Sequence, residues 1–70
     1  MNRIVNFYFK NKKKIHVTCN SGRFYNGSIK EINLDEIILL DDKLGEIIIL
    51  FNEIEQLEPF KEENKNANPK

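Results

Sequence analysis

The sequence predicts an all-β fold: one small, strongly bent antiparallel barrel of five short strands, with a short helix in front of it. Three observations predict this. Apolar and polar residues alternate from Ile15 to Cys19, as in a strand with one buried face. Turn signals built from Asn, Asp, Ser and Gly cut the chain into runs too short for helices. Two consecutive runs, Ile37-Ile38-Leu39-Leu40 and Ile47-Ile48-Ile49-Leu50-Phe51, carry no polar face at all. The 70 residues allow one domain. A domain of this size buries only about 60% of its unfolded surface, so its own stability is marginal and association between copies is a common remedy.

Residues 2–9 are expected to form the helix, although Val, Ile, Tyr and Phe in this segment also favour a strand. Asn2 suits the N-cap, and Ile4 with Tyr8 and Val5 with Phe9 have the spacing of shared helix faces. A basic connector follows, with Lys10, Lys12, Lys13 and Lys14 around Asn11. The first strand covers residues 15–19. Asn20-Ser21-Gly22 is a turn in which Gly22 supplies positive φ. The second strand runs from Arg23 to about Ile32, and Gly27 within it allows a bend or a close backbone approach. On that strand Arg23 and Tyr25 share a face, and Phe24 is expected to point the other way, to the core. Asn33-Leu34-Asp35 makes a corner before the third strand at residues 36–40. Asp41-Asp42-Lys43-Leu44-Gly45 is a turn before the fourth strand at residues 47–51. Asn52-Glu53 is a tight connection, residues 54–57 form the last strand, and Pro59 ends it. The expected domain is residues 1–60, with helix and connector at 1–12 and barrel at 13–60. Residues 61–70, rich in Lys, Glu and Asn, are expected to be a disordered polar tail.

An apolar strand at a sheet edge is an aggregation template unless it is paired or covered. Pairing with an identical neighbour, repeated head to tail, closes a ring.

The formal net charge is zero, yet it is unevenly spread. Residues 1–30 contain seven bases and no acid, whereas residues 31–59 contain nine acids and one base, Lys43. A compact domain with that split presents a positive side on which a polyanion docks; the competing reading is an ordinary solvated surface. Single Cys19 rules out an intrachain disulfide and fits a reducing compartment. No stretch approaches the roughly 20 apolar residues of a membrane span, and no signal peptide is evident. A soluble cytoplasmic protein without membrane contact is the expectation.

Nothing in the sequence argues for an enzyme, a metal or a cofactor. His16 and Cys19, three apart on a strand, face opposite sides. Asp41-Asp42 has the commoner use of forming a turn.

From Ile15 to Pro59 the sequence resembles the Sm-like family, which includes Hfq. The first motif reads Val17-Thr18-Cys19-Asn20-Ser21-Gly22-Arg23-Phe24-Tyr25-Asn26-Gly27-Ser28-Ile29, then Asn33, then Leu39-Leu40-Asp41-Asp42. The second reads Leu44-Gly45-Glu46-Ile47-Ile48-Ile49, with Ile54 beyond the tight turn. The resemblance implies a helix on a five-stranded bent sheet, rings of six or seven copies joined through the fourth and fifth strands, and binding of single-stranded U- or A-rich RNA. It also places residues 10–14 where Hfq has a basic rim. The familiar base pocket is altered. Where Sm proteins stack and read a base, this chain has Asp35 and Ile37, and after the fourth strand it has Leu50-Phe51-Asn52.

The resulting candidate RNA-binding residues are Lys10, Lys12, Lys13, Lys14, Arg23, Tyr25, Asn33, Phe51 and Asn52. Lysines capture phosphate by charge, an aromatic ring stacks on a base, and an amide reads a base edge. Competing roles are core packing for Phe51 and turn formation for Asn52. The expected function is that of a ring-forming RNA binder, in the manner of an RNA chaperone. A scaffold barrel that binds protein instead is the alternative, favoured by the altered pocket and the acidic second half. A small barrel bound to DNA or the ribosome is a third reading, resting on the basic first half alone.

Overall fold

The computed structural model describes residues 2–61. Its elements are helix α1 (Asn2–Lys10), strands β1 (Lys14–Cys19), β2 (Phe24–Ile32), β3 (Glu36–Asp41) and β4 (Gly45–Leu50), a 3-10 helix (Phe51–Glu53), and β5 (Ile54–Pro59). The strands form one antiparallel sheet in the order β4-β3-β2-β1-β5. The expected helix and five strands are therefore all present. The fourth run stops at Leu50, because Phe51 turns into the 3-10 helix. Within the expected polar tail, residues 62–70 lie outside the described residues, as does the side chain of Asn2.

The bend has a local cause. Strand β2 pairs with β1 through its first half and with β3 through its second, and Gly27 belongs to both registers, opposite Ile15 and Asp41. A Cβ on Gly27 would lie 1.8 Å from the Leu40 carbonyl oxygen. Only glycine lets the two strands cross this closely.

The core follows from alternation. Ile15, Val17 and Cys19 of β1 turn inward, as do Ile37 and Leu39 of β3, Ile29, Ile49 and Ile54. Val5 and Tyr8 close it from the helix. The helix buries this narrow stripe and leaves Ile4, Phe7 and Phe9 exposed, so the expected pairs Ile4–Tyr8 and Val5–Phe9 are split. Residues three apart stack along one line of contact, whereas their immediate neighbours turn about 100° away.

A second expectation is corrected on β2. Phe24 is 60% exposed, and Tyr25 is the residue packed against the core. Register decides this: Tyr25 lies opposite buried Val17, and opposed residues share a face. Strand parity from Tyr25 to Ile29 then places both inside.

Three stops shape the ends. Lys12 adopts φ +50, the left-handed conformation that terminates α1. Lys13 N–H donates to Tyr8 O at 3.0 Å and Lys12 N–H to Phe9 O at 3.2 Å, which satisfies carbonyls of the last turn. Gly22 and Gly45, at φ +97 and +85, complete the two hairpins. The Asp41 carboxylate accepts from the backbone N–H of Asn26, Lys43 and Leu44 at 3.0, 2.9 and 2.9 Å, which fixes the β3–β4 turn.

The sheet order leaves β4 and β5 as edges. On β4, Ile48 is 61% and Leu50 39% exposed, so the apolar second face foreseen for this strand is real and uncovered within one copy. Among the described residues no helix is long and apolar enough to cross a membrane.

Candidate nucleic-acid interface

The basic connector emerges from the helix stop. Lys10 ends α1, Lys12 holds the left-handed position, and Lys13 leads into β1. All three are exposed, and none makes an ion pair among the described residues. Lys14 differs. It pairs with Asp42, and its ammonium sits 4.2 Å from the centroid of the Phe60 ring. Three lysines of this segment, rather than four, are thus free to meet an anion.

Lys30 joins them, although the sequence reading did not select it. It lines a groove of about 450 Å³ together with Lys10 and Lys12. Its ammonium is bonded to Glu46, a contact that raises its pKa above the ordinary lysine value. The hairpin register held the signal: with the turn at Gly22, Lys14 falls opposite Ser28, which carries Lys30 toward the connector.

Asn33, Phe51 and Asn52 come together at the other end of the strands. Phe51 N–H donates to Asp35 O at 2.9 Å, which docks the 3-10 helix on the β2–β3 corner. Asn33 is tied to Glu36 twice, by backbone N–H to Glu36 O at 2.8 Å and by Nδ2 to Glu36 Oε2 at 3.2 Å. Phe51 is half-buried against the core. Asn52 is exposed, and its backbone oxygen accepts from Asn20 Nδ2 at 2.9 Å. The Asn52 side-chain amide is therefore the polar group here that stays available. The Glu36 carboxylate beside Asn33 opposes a phosphate.

Arg23 and Tyr25 border a third place. They line a cavity of about 510 Å³ with Cys19, Asn20, Ile48 and Glu53. The Asn20 N–H bond to Glu53 O at 2.8 Å joins this hairpin to the 3-10 helix, so Arg23 and Tyr25 adjoin the Asn52 end. Burial, and then the Glu53 charge, push the Cys19 thiol above its ordinary pKa against the opposing pull of Arg23. That leaves it a packing group. The lysine cluster stands apart, at the far end of β1, five residues or roughly 17 Å along the strand.

His16 lies on the outer face, with Nδ1 donating to Asn26 Oδ1 at 2.5 Å and its ring 5.4 Å from that of Phe24. Among the described residues no group of three or more His, Cys, Asp or Glu side chains is placed to hold a metal ion.

A helix on a single bent sheet of five antiparallel strands, folded over a glycine in the second, is the Sm-like fold. It matches a 1.55 Å crystal structure of Hfq, a pleiotropic translational regulator, with a TM-score of 0.73. The two are 16% identical, over 81% of this chain and 93% of that one. No protein-family model and no curated protein matches this sequence.

Proposed function

We propose that this chain is an RNA-binding Sm-like protein that works as a ring of six or seven copies in the cytoplasm, without catalysis, cofactor or membrane contact. One observation carries the reading. Three exposed lysines without carboxylate partners among the described residues, Lys10, Lys12 and Lys13, are gathered at the helix–strand junction of a fold matched by a translational regulator. The open edges β4 and β5 supply the ring, with β4 of one copy pairing β5 of the next, whose side chains flank Ile48 and Leu50. Single-stranded U- or A-rich RNA is held first by charge on the lysines, with Lys14 contributing when it leaves Asp42. Bases then meet the other end, where Asn52 reads an edge and Phe51, Tyr25, Asn33 and Arg23 form the surroundings. The chemistry is that of an RNA chaperone: capture and release of strands under counterion control.

The test is fluorescence anisotropy with labelled oligo(U) and oligo(A) at several salt concentrations. Replacing Lys10, Lys12 and Lys13 with Glu should weaken binding on the order of tenfold or more and flatten the log–log salt slope by about 2. Unchanged affinity would reject the reading.

A specific observation favours a second reading. Phe51 packs on the core and Asn33 is bound to Glu36, so two expected pocket groups are committed. A protein-binding scaffold would give an intact ring with no RNA affinity.

A further inference from the structure

The groove between the end of α1 and the sheet is apolar inside and basic outside. Phe9, Ile29 and Leu40 line it, and Lys10, Lys12 and Lys30 stand around it, with a volume of about 450 Å³. Phe9 and Leu40 remain 37% and 42% exposed. Leu40 belongs to β3, an interior strand with β4 on one side and β2 on the other. Pairing at the β4 or β5 edge extends the sheet in its own plane and does not cover it. Leu40 is therefore apolar surface that pairing at the sheet edges leaves open.

We propose that this groove docks a segment of another protein that presents a large apolar side chain flanked by Asp or Glu. The apolar side chain takes the Phe9–Ile29–Leu40 surface, where its burial is favourable. The flanking carboxylates meet Lys10 and Lys12, which have no ion pair among the described residues. Lys30 reaches the same carboxylates by exchanging Glu46. An RNA base fits less well. Beside the lysine ammoniums, which can only donate, the Ser28 hydroxyl is the side-chain acceptor lining the groove, so the donor groups of a base edge held there would find little to replace their water. The chain's own residues 62–70 bring two acids, Glu62 and Glu63, but only Ala67 and Pro69 as apolar residues, too small to fill the space. This inference stands on the groove alone and does not require the RNA reading.

The experiment uses the full chain and two labelled peptides, one with a Leu-Phe centre flanked by acidic residues and one with Ser-Ser at the centre. Anisotropy should show the Leu-Phe peptide binding about tenfold more tightly, the difference an apolar side chain makes on burial. Leu40→Ser should remove most of that advantage and leave oligo(U) and oligo(A) affinity unchanged. Equal binding of the two peptides would overturn the proposal, since charge alone would then explain it. So would a Leu40→Ser protein that keeps the advantage, or one that loses RNA affinity in its place, because the groove would then hold a base. Should Leu40→Ser fail to fold, NMR shift mapping on the unsubstituted protein decides. Peptide-induced shifts centred on Phe9, Ser28 and Leu40 support the site, and shifts centred elsewhere overturn it.

Discussion

Replacing Gly27 by alanine tests the bend on which the fold depends. The new methyl carbon would sit 1.8 Å from the Leu40 oxygen, 2.6 Å from its carbonyl carbon and 3.0 Å from Asp41 Cα. All three are backbone atoms, so no side chain can swing aside. Ordinary contact begins near 3.4 Å, and reaching it means parting β2 from β3 by more than an ångström. Overpacking of this kind costs about 1–3 kcal/mol. The separation also strains the bonds from Asn26 N–H to Asp41 Oδ1 and from Asp42 N–H to Asn26 O, at 3.0 and 2.9 Å, each worth about 1 kcal/mol. The expected loss is about 3–5 kcal/mol. Total stability for a chain of 70 residues is only about 4–10 kcal/mol. Urea unfolding followed by far-UV circular dichroism, at one fixed protein concentration, should show the midpoint falling by about 2 M or more, or no folded baseline at all. A loss below about 1 kcal/mol would refute the close approach at Gly27 as the source of the bend.

Other consequences are equally open to measurement. Ile48→Glu puts a charge on the exposed face of edge strand β4 and should turn an assembly into monomers while circular dichroism stays unchanged; light scattering that still finds the assembly would remove β4 from the interface. Burial raises the pKa of Asp41, but the N–H donors of Leu44, Lys43 and Asn26 and the Lys43 charge outweigh it, so the pKa lies below the ordinary aspartate value of 3.8. A depressed carboxylate adds stability above its unfolded pKa and loses it as pH falls through the folded one. Asp41→Asn should therefore lower stability at pH 7 and flatten the decline below about pH 4, read by thermal unfolding across pH. Lys12→Gly relieves a left-handed side-chain residue, so stability should rise by up to about 1 kcal/mol in urea while RNA affinity falls. Cys19 should resist iodoacetamide at neutral pH until the protein unfolds, as mass spectrometry would show.

Much of the architecture is legible in the sequence because it rests on local rules. The alternation of Ile15, Val17 and Cys19 and the turn at Gly22 each act within a few residues, and Gly27 stands out inside a strand by its lack of a side chain, although the backbone it admits, at Leu40, lies on β3. What the sequence leaves open depends on which partners the fold brings to each side chain. Whether Phe24 or Tyr25 faces the core is fixed by the pairing of Tyr25 with Val17, not by the composition of either. Lys14 looks like its neighbours in the sequence, yet Asp42 and Phe60 occupy it. Asn33 reads as a free amide until Glu36 is seen to hold it. Lys30 and Leu40 escaped notice as site residues because the groove forms only when the helix end is laid beside the sheet.

The central claim, a ring that carries RNA, is tested most directly by size-exclusion chromatography with light scattering, on the protein alone and with short oligo(U) or oligo(A) at low salt. Six or seven copies of the 8.3 kDa chain give a particle of about 50 or 58 kDa. The account predicts that particle, co-eluting with RNA at low salt and releasing it as salt rises. A monomer that ignores both oligonucleotides would contradict it.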